Sequence, residues 1–230
     1  MIPSCFKAIP GLEEDERIRW LDEVRILKAF YHFWLMQMYG PIPIVDTNIP
    51  VSAPSSETNV YRDSIDEVVT YLTELINQVI EADNLPGLIN YVYTEQGRIT
   101  MPIAKALKAK ILMLSASPIY NGNTDFSSLI DNQGNSLVNQ SYDPQKWVLA
   151  KDAILDAIQS AEANGHSLYQ FNQQIPINGG INEQITQELS LRAAITEPFN
   201  PEIIWAFSAE WTEKLQHRSH PRWTSDHAAL

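Results

Sequence analysis

The chain has 230 residues, of which 44% are hydrophobic, and its 16 basic and 28 acidic residues give a formal charge of -12. This length can bury a substantial core, and the acidic surplus excludes a phosphate-binding surface, so no nucleic-acid partner is expected. The single cysteine, Cys5, excludes an internal disulfide framework and any multi-cysteine metal site.

Residues 1–10 hold one lysine and no apolar run of signal-core length, and the MIPS that precedes Cys5 lacks the charged and apolar regions expected ahead of a lipidated cysteine. No later segment reaches the roughly 18 uninterrupted apolar residues of a membrane span.

The first predicted helix covers residues 13–39. Trp20, Leu21, Val24, Leu27, Tyr31, Trp34, Leu35 and Met38 recur at three- and four-residue spacing and predict its buried face, with Phe30 and Phe33 on the opposite side. From Ala29 to Tyr39 the helix is apolar almost all round, which predicts a central, enclosed element in which His32 is a hydrogen-bonded core residue. Gly40, Pro41 and Pro43 end it, leaving residues 42–45 extended. A proline-punctuated loop over 46–59 follows.

A second helix is expected over about 64–82. Ser64 and Glu67 have capping-box spacing, and Ile65, Val68, Val69, Leu72, Leu75, Ile76 and Val79 form its apolar face. After a turn at 83–97, a third helix starts at the cap Thr100, with Pro102 in its first turn, and runs to Pro118. Its Ala104, Ala106, Ala109, Ser115 and Ala116 are small and permit close approach of another helix. Residues 120–142 read as a long polar surface loop. Asp143-Pro144 begins a fourth helix with Trp147, Ala150, Ile154, Ala157, Ile158 and Ala161 facing in, ended by Asn164-Gly165. A fifth is expected over 183–194. The apolar run 202–208 fits either a strand or a buried helix start.

These elements predict an all-α fold of antiparallel helix pairs with long irregular loops, tetratricopeptide-like in architecture but without a regular repeat of about 34 residues. We read residues 1–230 as a single helical domain with its core at 13–196 and an irregular tail at 197–230.

Two stretches carry a family resemblance. LDEVRILKAFYHFWLMQMYGPIPIV, residues 21–45, resembles the SusD/RagB segment in which a Leu-Arg-Ala-Phe-Tyr-like run leads to Tyr-Gly and a Val-Pro- or Ile-Pro-like extension, with Lys28 where arginine is common. GRITMPIAKALKAKILMLSASPIYNGN, residues 97–123, is similar to the Gly-Arg, alanine-rich helix and Ala-Ser-Pro-hydrophobic-Tyr-Asn ending of the same family. YDPQKW and NPEIIWAF follow in the expected order. The resemblance covers nearly all of residues 14–208.

That resemblance implies a noncatalytic lipoprotein on the outer face of the outer membrane of Bacteroidetes-like bacteria. Such a protein captures a polysaccharide, oligosaccharide or other nutrient and delivers it to a SusC-like TonB-dependent transporter. Family members are longer, with a signal peptide, a lipidated cysteine and an extensive C-terminal region, so this chain is read as a fragment or truncated form whose membrane association rests on an anchor outside it. No cofactor is implied. The family motifs identify scaffold and transfer no binding residue.

Sugar rings stack their C–H faces on aromatic rings and need amides, carboxylates or guanidinium groups for their hydroxyls. Candidate aromatic residues outside predicted helix cores are Tyr120, Tyr142, Tyr169, Trp211 and Trp223. Of these, Trp211 and Trp223 lie near Glu210, Arg218, Arg222 and Asp226, so Trp211, Trp223, Arg222, Tyr120 and Tyr142 are the expected ligand contacts. Trp20, Trp34, Trp147 and Trp205 fall on core patterns and are expected to be structural.

The carboxylate pairs Asp22/Glu23 and Asp66/Glu67 are expected on solvated helix faces rather than in a catalytic site. His217, His220 and His227 with Asp226 lack helical His-x-x-x-His spacing, and we read them as a polar tail rather than a metal site. A different class of function, a helical scaffold that binds a protein partner without glycan, also fits the sequence.

Overall fold

The computed structural model describes residues 11–171, 182–197 and 199–206. Helix α1 spans Glu14–Tyr39, α2 Ile65–Ala82, α3 Met101–Ala116, α4 Gln145–Ala163 and α5 Glu183–Thr196. Single helical turns at Ser55–Thr58 and Val92–Glu95, and a 3-10 turn at Thr124–Phe126, interrupt the loops. No strand occurs among the described residues, only an isolated bridge between Ile130 and Ser136. The fold is all-α, as expected.

Local chemistry sets each boundary. Glu14, Asp15 and Glu16 place negative charge at the positive end of α1. Gly40 closes that helix at φ 72°, its N–H donating to Met36 O at 2.9 Å. The chain then runs extended and is pinned by Asp63, whose N–H donates to Ile42 O at 3.0 Å and whose Oδ2 accepts from Ile44 N at 2.6 Å. The Ser64–Glu67 capping box forms in full and starts α2, and Asp83 ends that helix in the left-handed region.

Two caps differ from expectation. Thr100 precedes α3 without capping it: its Oγ1 is buried and has no hydrogen-bond partner among the described residues. Pro86 supplies one missing partner, accepting from Met101 N at 2.9 Å. At α4 the helix begins one residue later than the Asp143 cap predicts, because Pro144 takes the flanking position. Asp143 Oδ1 still accepts from Gln145 N at 2.8 Å.

Helices α1 to α4 pack as successive neighbours, with α3 between α2 and α4 and also touching α1. The central helix is therefore α3, not α1. Its Ala104, Ala109, Ser115 and Ala116 are buried, and α4 buries Ala150, Ala157 and Ala161, so small residues on both sides let these two backbones approach. The predicted face of α2 is buried, apart from Leu75, which is half-buried.

Helix α1 buries a different face from the one its periodicity suggests. Asp22, Ile26, Ala29, His32, Phe33 and Met36 point inward, whereas Tyr31 (62% exposed), Trp34 (49%), Leu35 and Met38 face outward. With residues apolar on both sides, spacing alone does not choose. The choice is made by partners: buried Asp22 is held by Arg25 Nη1 and by Asn84 Nδ2 at 2.9 Å, which turns the Ile26/Ala29/Phe33 side to α2 and α3. Trp147 and Ile158 of α4 are also exposed rather than inward-facing.

The 120–142 loop is partly core. Leu137 and Val138 are buried, and Leu137 O accepts the first amide of α2, Ile65 N, at 3.0 Å. Buried Asn121 clamps the loop's far end, its Oδ1 accepting from Asp143 N at 2.8 Å and its Nδ2 donating to Asp143 O at 2.9 Å. Residues 201–206 form turns and bends, neither strand nor helix. Trp205 anchors them, donating from Nε1 to Gly97 O at 3.1 Å and meeting Phe30 edge-on at 5.1 Å.

Candidate functional site

An open cleft of about 1080 Å³ lies where α1 and α2 face the segment after α1. Its apolar floor comes from Val24, Leu27, Val45 and Leu75, and its polar groups include Arg25, Lys28, Asp46, Asn48, Glu74 and Gln78. Two tyrosines, Tyr31 of α1 and Tyr71 of α2, complete the wall.

His32 sets the position of the rim. Its Nδ1 sits 2.8 Å from Lys28 O, a group that can only accept, so Nδ1 carries the proton and Nε2 is left to accept from Val45 N at 3.3 Å. This residue is buried and hydrogen-bonded, as expected, and it couples the later turns of α1 to the extended segment that follows the helix.

One residue further on, Asp46 forms a latch. Lys28 Nζ donates to Asp46 O at 2.7 Å and to Asp46 Oδ1 at 2.8 Å, and the Tyr71 hydroxyl donates to the same Oδ1 at 3.1 Å. The ammonium also lies 5.5 Å from the centre of the Tyr71 ring, while His32 meets that ring edge-on at 5.7 Å. Partial burial of Lys28 opposes its charge, but its bonds to Asp46 and Tyr71 prevail and hold its acidity below that of an ordinary lysine. The same ammonium keeps the Asp46 carboxyl below the usual carboxylate range. Burial raises the Tyr71 phenol, so it remains a donor.

The remaining polar groups are available. Thr47, Asn48, Glu74 and Gln78 are exposed, and no partner for their side chains occurs among the described residues. Tyr31 lines the cleft and is largely exposed, its ring meeting Phe30 edge-on at 5.7 Å. An aromatic face beside amide, hydroxyl and carboxylate groups is an arrangement that can take a sugar ring.

Of the expected ligand contacts, neither Tyr120 nor Tyr142 lines this cleft. Tyr120 is 6% exposed and belongs to the core, because the turn after Ser117 folds its ring back so that its hydroxyl lies close to Gly40. Its ring offers no face to a ligand. Tyr142 is 63% exposed but lies outside the cleft, against Gly122. Tyr169 donates to Glu197 Oε2 at 2.7 Å. Trp211, Arg222 and Trp223, and the histidines at 217, 220 and 227, lie outside the described residues. The cleft residues escaped sequence reasoning because Lys28, Asp46 and Tyr71 share no motif. The one available signal was Lys28 in an arginine position.

The carboxylate pairs belong to the scaffold. Asp22 is fully buried against Arg25 and Asn84, contrary to the expected solvated face, and Glu23 accepts from Arg98 Nε at 2.9 Å. Asp66 pairs with Lys146 Nζ at 2.5 Å. Among the described residues no cluster of three or more His, Cys, Asp or Glu side chains is placed to hold a metal ion, and no helix is long and apolar enough to cross a membrane.

The class defined by these features is an all-α scaffold with an open polar and aromatic cleft. No family model and no curated protein matches the chain. Among solved structures it is similar to BT4246, at 30% identity and a TM-score of 0.70 over 86% of this chain and 36% of that one. The selenomethionine form of BT4246 gives 29% identity and a TM-score of 0.69 over 88% and 36% of the two chains. A SusD-like protein from Bacteroides fragilis NCTC 9343, BF3747, shares 19% identity and a TM-score of 0.47 over 70% of this chain and 24% of that one. The chain shares its fold with the matching part of BT4246, and its two long motifs resemble those of the SusD/RagB family. It spans about a third of the length of BT4246.

Proposed function

We propose that this chain is the helical part, with its core at residues 13–196, of a noncatalytic cell-surface glycan-binding protein. In this reading the whole protein sits on the outer face of the outer membrane through a lipid anchor and passes its ligand to a SusC-like TonB-dependent transporter. The observation that carries the reading is the α1–α2 cleft, where the open ring of Tyr31 stands beside the unpartnered side chains of Asn48, Glu74 and Gln78. Each carboxylate pair considered for catalysis is engaged in the scaffold instead. Tyr142, Trp211, Arg222 and Trp223 are proposed as further contacts, reached by a polymer that extends beyond the cleft.

A glycan array followed by calorimetry tests this. Saturable binding of a polysaccharide without release of reducing ends supports the reading, and cleavage of the bound polymer overturns its noncatalytic part.

The other reading, a scaffold for a protein partner, draws support from the outward face of α1, where Trp34, Leu35, Met38 and Tyr39 are exposed together. Co-purification with a transporter in the absence of any glycan binding would favour it.

A further inference from the structure

The cleft also carries a selectivity. Resting on the glycan-binding reading above, we infer that the α1–α2 cleft takes neutral sugars and discriminates against acidic ones, with Tyr31 as the stacking platform and Glu74 as the anionic hydrogen-bond acceptor.

The two tyrosines are not equivalent. Tyr71 is covered by the Lys28 ammonium, flanked by His32, and bonded through its hydroxyl to Asp46, so its ring is committed to holding the rim. Tyr31 has one edge contact to Phe30 and is otherwise open. A pyranose that stacks in the cleft therefore stacks on Tyr31.

The cations are already answered. Arg25 pairs with fully buried Asp22, and Lys28 gives two hydrogen bonds to Asp46. An incoming uronate or sulfate would have to share a cation already paired with a carboxylate, and one that drew Arg25 away would strand Asp22, which is 0% exposed. Stranding a buried charge is costly. Glu74, in contrast, meets no cation among the described residues. Two cations in and behind the cleft thus face three carboxylates, Asp22, Asp46 and Glu74, in a chain of formal charge -12. The local field repels anions over roughly a Debye length, about 8 Å at physiological salt. A neutral sugar meets no such barrier: its hydroxyls donate to Glu74 and exchange hydrogen bonds with Thr47, Asn48 and Gln78.

Binding of the purified chain to starch, a mixed-linkage β-glucan and a mannan is measured against polygalacturonate and chondroitin sulfate, by affinity electrophoresis and calorimetry at physiological salt. The expected result is binding of at least one neutral polymer, with both acidic polymers at least about tenfold weaker. Tyr31→Ala, at a largely exposed position that leaves the helical circular dichroism unchanged, should weaken neutral binding at least about tenfold. Glu74→Lys should narrow the gap by strengthening acidic binding. Tighter binding of an acidic polymer, or neutral binding indifferent to Tyr31→Ala, overturns the inference while leaving glycan binding intact. Absence of binding to every polymer overturns both.

Discussion

Arg98 Nε lies 2.9 Å from Glu23 Oε1, and this contact joins the two long motifs of the chain, 75 residues apart. The same guanidinium reaches Glu16 and Glu95 through Nη1, at 2.8 Å each. Arg19 adds Nη1 to Glu95 at 3.0 Å, which makes a partly buried network of two arginines and three glutamates. Replacing Arg98 with Ala leaves Glu23 poorly compensated and should destabilise the chain by about 2–3 kcal/mol, read from denaturant unfolding. Arg98→Lys should recover less than half of that loss, because an ammonium cannot reproduce a fork aimed at three carboxylates. Full recovery by lysine would show that charge alone matters here.

The orientation of α1 makes a contrasting pair of substitutions informative. Ile26 is 0% exposed at the centre of the core, so Ile26→Ala should cost about 2–5 kcal/mol. Trp34→Ala, on the outward face, should cost about 1 kcal/mol or less, mostly through its tilted contact with Phe30 at 6.0 Å. Equal losses at the two positions would reverse the assignment of faces.

The start of α2 gives a pH-dependent test. Ser64 Oγ donates to Glu67 Oε2 at 2.7 Å and accepts from Glu67 N at 3.3 Å, and the hydroxyl bond, followed by that from the Ser64 amide, holds the Glu67 carboxyl below its usual range. A depressed folded-state value means the stabilisation is present above the unfolded value, about 4.3, and is lost as the pH falls towards the folded one. Ser64→Ala should therefore cost about 1 kcal/mol at neutral pH, with the difference from wild type shrinking in acid. Because Glu67 is exposed, the carboxylate's share is well below that figure. A difference that grows on acidification would contradict the capping assignment.

The helices were legible wherever local chemistry and burial agree. In α2 the capping box and the one-sided apolar pattern coincide, and the structure follows them. In α1 the apolar residues occupy both sides, and the buried face depends on Asp22 meeting Asn84 across 62 residues, a contact that leaves no local trace. Tyr120 lies outside the predicted helix cores and so reads as a ligand contact, yet a turn at Ser117 returns its ring to the core. Leu137 and Val138 lie in a loop in which polar residues predominate, and both are core. The cleft was least legible, since its latch joins Lys28 to Asp46 and Tyr71 from three separate elements.

The anchoring of α2 has a consequence for how the chain is made. Its first amide bonds to Leu137 O, and Asp66 in its first turn bonds to Lys146, a partner 80 residues further along. A ribosome adding about 5–20 residues per second needs roughly 4–16 s to supply that partner. During this interval the Ile65 end of α2 has no lid, and the nascent α1–α2 pair is open to chaperones or to premature association until residues 137–146 emerge and close it.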